Sequence, residues 1–212
     1  MAKLTATAVA IGISIAALGL AAFSSQSQDA ATIVRQVCST CHGPDGNSVE
    51  SVYPRLAGQQ KDYLEVQLKA FRNHQRADPL GTAYMWKHAS QLSDEMIGKL
   101  ADYFSRQRPS HVRSTDFRGL QAGKPIFERG LAAAGVPACA TCHGKRAEGV
   151  AVIPRLADQH PEYLFKQLVW FKNQVRAEPN AAPMHATTAG LSLQQMIDVS
   201  AWASYLGGSS DF

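Results

Sequence analysis

The sequence predicts an all-α protein built from two similar domains in tandem. Two observations carry this reading: the chain repeats itself at an offset of about 100 residues, and apolar residues in each copy recur at helical spacing. No run of alternating apolar residues bounded by turns argues for a strand. Cys38-Ser-Thr-Cys41-His42-Gly43 returns as Cys139-Ala-Thr-Cys142-His143-Gly144, and Pro54-Arg55-Leu56-Ala57 as Pro154-Arg155-Leu156-Ala157. From 54 to 79, 14 of the 26 positions are identical to those 100 residues later. Met85 maps to Met184, Leu92-Ser93 to Leu191-Ser192 and Tyr103 to Trp202 at an offset of 99. The period is far above solenoid lengths, so the repeat is a duplicated domain.

Residues 1–24 read as an export signal. Met1–Lys3 is a short basic start, Leu4 to Phe23 carries no charge, and Gly19-Leu20-Ala21 and Ala22-Phe23-Ser24 are small-x-small cleavage options. An uncleaved anchor is the alternative, since an apolar stretch of about 20 residues is just long enough to span a bilayer. Either reading places the rest of the chain in the periplasm, with peripheral membrane association left open. Domain 1 (25–105) should hold a short helix over Ala30–Val37 and a second with Leu64, Leu68 and Phe71 at i, i+4 and i+7. Its last helix should start at Ser93 as N-cap and bury Met96, Ile97, Leu100 and Phe104. Residues 106–121, with Pro109 and scattered charges, read as a linker. Domain 2 (122–212) opens a helix at Gly123-Lys124-Pro125-Ile126-Phe127, continues with Leu164, Leu168 and Phe171, and ends in a helix after Leu191-Ser192.

Composition excludes several classes. Of the 212 residues 45% are hydrophobic and 18% charged, an ordinary globular profile. A formal charge of +4 is too small for a strong nucleic-acid footprint, so no nucleic-acid partner is expected. Each domain has only about 90 residues, much of it loop, and a core of side chains alone is marginal at that size. Something else should fill the centre.

The repeated Cys-x-x-Cys-His supplies it. Two cysteines three apart can form thioethers with the two vinyl groups of one haem, and the adjacent His then supplies one axial bond to iron. Two such motifs, using every cysteine in an exported chain, point to two covalent haem c groups on Cys38, Cys41, Cys139 and Cys142, with His42 and His143 as ligands. A zinc ribbon wants its cysteine pairs about 15–20 residues apart and in one domain. A redox-active cysteine pair wants a βαβ setting, and simple disulfides leave the following His unexplained. For the sixth position Met85 and Met184 correspond under the repeat, each in a loop-like stretch before the last helix, whereas Met96 and Met196 sit inside helical patterns as core residues. His88 and His185 are rivals, but they do not correspond to one another.

These motifs, in the order Cys-x-x-Cys-His, Pro-Arg-Leu-Ala, Tyr-Leu-x-x-Gln-Leu, Met, Leu-Ser and a late aromatic, resemble class I cytochrome c, twice over. The tandem arrangement resembles the dihaem cytochrome c4 family, and Arg55–Asp78 with Tyr84-Met85-Trp86 is similar to the members from acidophilic iron-oxidising bacteria. The resemblance implies that the carbonyls of Pro54 and Pro154 accept a hydrogen bond from His42 and His143, fixing ring orientation and tautomer. It also implies that Arg55 and Arg155 lie near the haem propionates. Phe127 and Trp202 correspond to a packing pair between first and last helices. Domain 1 lacks the Gly-x-x-x-Phe of that contact.

Six-coordinate haem leaves no vacant site for substrate, so the expected function is outer-sphere electron transfer rather than catalysis. The resemblance implies a redox-protein donor, such as a blue copper protein or a quinol-oxidising complex, and a haem-copper terminal oxidase as acceptor. The alternatives are a cytochrome subunit of a larger sulfide- or quinol-oxidising enzyme, and a dihaem thiosulfate dehydrogenase or peroxidase. Along one helix, Glu65, Lys69 and Ala70 become Phe165, Val169 and Trp170 in the second copy, which reads either as a contact with the other domain or as a docking patch.

Overall fold

The structure, a computed structural model, describes residues 29–111 and 117–207. The export signal read over 1–24 lies outside the described residues. Within them no helix is long and apolar enough to cross a membrane, and extended pairing is confined to two isolated bridges, Leu131 with Val136 and Val150 with Ile153. The rest is helix and loop, and two hydrophobic clusters, one per domain, form the cores.

Domain 1 begins with α1 (Ala30–Ile33), capped by the Asp29 side chain on the Thr32 amide. A π-helical turn, Val34–Cys38, leads into α2 (Ser39–His42), so the opening helix runs past Val37 through both cysteines. The wider turn is of the kind found at functional sites. Helix α3 (Lys61–Arg72) buries Leu64 and Phe71 as its spacing predicts. A second π turn, Gly81–Met85, continues into α4 (Trp86–Ala89). Helix α5 (Asp94–Ser105) starts at Ser93, whose hydroxyl accepts from the Met96 amide, and it buries Ile97, Leu100 and Phe104. Although domain 1 lacks Gly-x-x-x-Phe, α1 still meets α5. Fully buried Val34 packs in one cluster with Leu100, Ala101 and Phe104, so a small branched residue substitutes for the missing pair.

Domain 2 repeats the plan with α6 (Phe117–Arg129), α7 (Ala140–His143), α8 (Pro161–Lys172), α9 (Ala182–Ala189) and α10 (Leu193–Tyr205). Helix α6 starts at Phe117, six residues ahead of Gly123, so part of the stretch read as linker (106–121) is helical. The reason is Leu120, which is buried in the domain 2 core on the same face as Gly123 and Phe127. Residues up to His111 are not a free tether either. Asn47 receives the Ser110 amide at 2.7 Å and donates to the Arg108 carbonyl at 3.0 Å, while His111 Nδ1 lies 3.1 Å from the Asp158 carboxylate.

Gly123 is where α6 and α10 cross. A β-carbon there would stand 2.0 Å from the Asp198 carbonyl oxygen and 3.0 Å from Trp202 Cβ. Buried Phe127 and Trp202 share the resulting cluster. Gly123→Val is expected to push the helices apart and destabilise domain 2 by about 3 kcal/mol or more. Thermal unfolding followed by domain 2 haem absorbance would measure it, and an unchanged midpoint would contradict the close crossing.

Phe165 and Val169 pack against the core of their own domain. In domain 1 their counterparts Glu65 and Lys69 face ions instead, Glu65 with Lys61 and Lys69 with Asp94. The apolar change along α8 thus widens an internal contact, rather than making an interdomain or external one at those two positions.

Candidate haem sites and the domain interface

His42 and His143 close α2 and α7 and are buried. His42 Nδ1 is 2.9 Å from the Pro54 carbonyl and His143 Nδ1 is 3.0 Å from that of Pro154. A carbonyl only accepts, so each ring carries its proton on Nδ1 and keeps Nε2 as the free lone pair. Burial pushes both histidines below the ordinary value, against the opposing pull of the proline carbonyls, and His88 adds to the lowering at His42. Neutral imidazole is the form that ligates metal. Burial also pushes the Cys38 and Cys139 thiols up to about 11.

One continuous cavity of about 720 Å³ is lined by both motifs: Cys38, Cys41 and His42 from domain 1, and Cys139, Cys142 and His143 from domain 2. Met85 and Met184 line it too, Met85 at the end of the second π turn and Met184 within α9. Sequence reasoning expected a loop around each methionine. The structure makes both stretches helical, and Pro183 in the first turn of α9 suits that start. Met196 is fully buried in the domain 2 core and Met96 packs against that of domain 1.

His185 is engaged elsewhere. Its Nε2 bonds the Arg176 carbonyl, and at the corresponding place Trp86 Nε1 donates to the Arg76 carbonyl at 2.8 Å. A Trp and a His thus perform the same structural task in the two copies. His88 lines the cavity beside Met85, three residues away, where domain 2 has Thr187.

The Pro-Arg-Leu-Ala loops face each other across the interface. Gln159 accepts the Arg55 amide at 2.9 Å and donates to the Arg55 carbonyl at 2.9 Å; Gln59 does the same to Arg155 at 2.7 and 2.9 Å. The guanidinium of Arg55 donates to the carbonyls of Ser110 and Asp158, at 2.7 and 3.1 Å, and leaves its buried Nε without a partner. That of Arg155 pairs with the Asp158 carboxylate at 2.6 Å. Asp158 holds a left-handed backbone, φ 62°, at the place where domain 1 has Gly58 at φ 63°. An aspartate thus stands in a conformation natural to glycine, with its carboxylate beside Arg155 and His111.

Deeper in the interface Arg76 and Arg176 form a second pseudo-symmetric set with Gln67 and Gln167. Each glutamine oxygen accepts from one arginine of each domain, at 2.7 and 3.0 Å for Gln67 and at 2.8 and 3.1 Å for Gln167. Asp78 holds Arg76 at 2.8 Å and Glu178 holds Arg176. Sequence reasoning gave these four residues and the Gln59–Gln159 pair no role, although Gln67 and Gln167 lie in the repeated Tyr-Leu-x-x-Gln-Leu. The available signal was their identity in both copies, because a polar side chain kept across a duplication is under a constraint that an exposed one escapes.

The cavity, the paired thiols and the two oriented histidines fit two thioether-linked haems. A family model described as cytochrome c matches residues 27–106 and 120–206. The chain belongs to the dihaem cytochrome c4 family. It is 38% identical to cytochrome c-552 of Acidithiobacillus ferridurans over 195 residues, covering 91% of this chain and 83% of that one. It is 36% identical to cytochrome c4 of Azotobacter vinelandii over 180 residues, 81% and 84% of the respective chains. The solved structure of Acidithiobacillus ferrooxidans cytochrome c4 superposes with a TM-score of 0.74 at 40% identity, covering 79% of this chain and 98% of that chain. Like its family, this cytochrome carries two covalent haem c groups and is an electron-transfer protein, not an enzyme.

His160 of domain 2 forms a titratable latch onto domain 1. His160 Nε2 donates to the Ser48 carbonyl at 3.0 Å, while at the equivalent place Gln60 donates to the Glu148 carbonyl at 2.8 Å. Burial, then the charge of Arg55, pulls His160 below the ordinary histidine value, opposed by the Ser48 backbone, Glu162 and Glu50. The opened form therefore binds protons more tightly. The latch is at full strength above about pH 6.5 and weakens as pH falls below it. His160→Gln should flatten the loss of thermal stability as pH falls below about 6.5, as read by calorimetry; an unchanged slope would assign it to other groups.

Proposed function

We propose that the protein carries electrons in the periplasm, by outer-sphere transfer, between a respiratory donor and a terminal oxidase or similar acceptor. A blue copper protein or a quinol-oxidising complex fits as donor and a haem-copper oxidase as acceptor. The observation that carries this reading is the duplication of one arrangement. In each domain a buried His has Nδ1 tied to a proline carbonyl, and a methionine lines the same cavity.

Each haem supplies a one-electron Fe(III)/Fe(II) couple. In this reading His42 and His143 would offer Nε2 to iron, Met85 and Met184 would supply thioether sulfurs to it, and the four cysteines would hold the macrocycles covalently. Pro54 and Pro154 fix the imidazole planes, so the ligands need not reorganise when an electron arrives. Arg55 and Arg155 offer cationic groups for propionates at the interface. The domain interface, stitched by Gln59 and Gln159, holds the distance between the two centres.

The optical spectrum of the purified ferric protein tests this, with haem counted per chain and the methionine-to-iron charge-transfer band quantified per haem. Two haems and two such bands are the expected result. Two haems with one band or none would move an iron to another ligand or an open position and overturn the His/Met assignment.

A further inference from the structure

We propose that Gln67 and Gln167 receive haem propionates at the domain interface, each through its side-chain amide N–H. Both glutamines are almost wholly buried, 5% and 6% exposed, and both line the cavity. Their amide orientation is dictated by the neighbours. Each oxygen accepts from two guanidinium N–H groups, one from Arg76 and one from Arg176, so the oxygen faces the arginines and the nitrogen faces away. In that orientation Nε2 has no protein partner in either copy.

An amide donor buried without an acceptor is costly, and here the cost appears twice at equivalent positions. The periphery of a haem is apolar except for its two propionates, which only accept when ionised. They are the acceptors this cavity is built to receive. The arginines behind are engaged already: Arg76 Nε with Asp78, Nη1 with Gln67, and Nη2 with Tyr163 and Gln167. Their positive charge therefore reaches the propionates through the glutamine amides, polarising each N–H toward its acceptor. Because each glutamine oxygen takes one N–H from each domain, the two amides belong to one hub, and in this assignment that hub would serve both haems. This assignment rests on the dihaem reading above and adds residues that neither the Cys-x-x-Cys-His motif nor the Pro-Arg-Leu-Ala loop contains.

Resonance Raman spectroscopy of the holoprotein tests it, because the propionate bending mode reports hydrogen bonding to that group and not interface stability. Gln67→Leu and Gln167→Leu are expected to shift that band to lower frequency and to change the oxidised-to-reduced ratio of at least one haem threefold or more at a fixed applied potential. Haem counted per chain by the pyridine haemochrome method separates this from failure of the dihaem reading. A band unmoved in both variants, with two haems present and thermal stability reduced, would make the glutamines interface contacts that meet only water. That result would overturn the proposal. Should a leucine variant fail to accumulate, Gln67→Glu keeps an acceptor oxygen for both arginines and replaces the outward-facing donor by an oxygen that cannot donate. Because it also adds a negative charge, only its Raman band is read, with the same outcomes for that band.

Discussion

Met184→Ala is expected to abolish one of the two methionine-to-iron bands, leave the other intact, and make one haem bind carbon monoxide in the ferrous state. Met85→Ala should abolish the other band. The expectation follows from position: these methionines line the cavity, whereas Met96 and Met196 pack in the cores. Axial-ligand identity spans about 0.8 V of haem potential. Loss of a thioether should accordingly lower the affected potential by on the order of 0.1 V or more, as spectroelectrochemistry would read. His88 makes the two variants unequal. It lines the cavity three residues after Met85, and Thr187 occupies that place in domain 2. In Met85→Ala an imidazole stands close to the vacated position, so a low-spin spectrum without carbon monoxide binding would identify His88 as a replacement ligand. In Met184→Ala the nearby His185 is held on the Arg176 carbonyl, and an open position is the expected result.

Arg176→Leu should cost about 3–5 kcal/mol, the range for breaking a buried ion pair from one side. At this chain length that corresponds to a fall in Tm on the order of 10 °C. Arg176 is buried against Glu178, and its loss strands a carboxylate in the interface. The glutamine oxygens would suffer less, since Arg76 still donates to both. Arg176→Leu combined with Glu178→Leu should therefore recover more than half of the loss. A double variant as unstable as the single one would show that the hub itself, not the uncompensated charge, holds the domains together.

Much of this was legible in the residues. The duplication, the all-α class, the paired attachment motifs, the equivalence of Met85 with Met184, the cap at Ser93 and the helix start at Leu191-Ser192 all follow from local chemistry and from comparing the chain with itself. Where a helix begins was less secure. Gly123-Lys124-Pro125 looked like a start, yet α6 runs through it from Phe117 because Leu120 extends the buried face by a turn. Pro125 is tolerated there as a property of the packed helix, which no local propensity reports.

The sequence alone determined what each domain holds, because thioether attachment and axial ligation need particular atoms at fixed short spacings. How the two domains address each other is set instead by contacts made in three dimensions. Gln59 with Gln159, and Gln67 and Gln167 with Arg76 and Arg176, lie 91 to 109 residues apart in their cross-domain bonds. Hydrogen bonds of that range leave no periodic trace along a chain. They exist because two copies of one surface meet about a pseudo-two-fold axis, where every polar group lost to water must find its partner on the other copy.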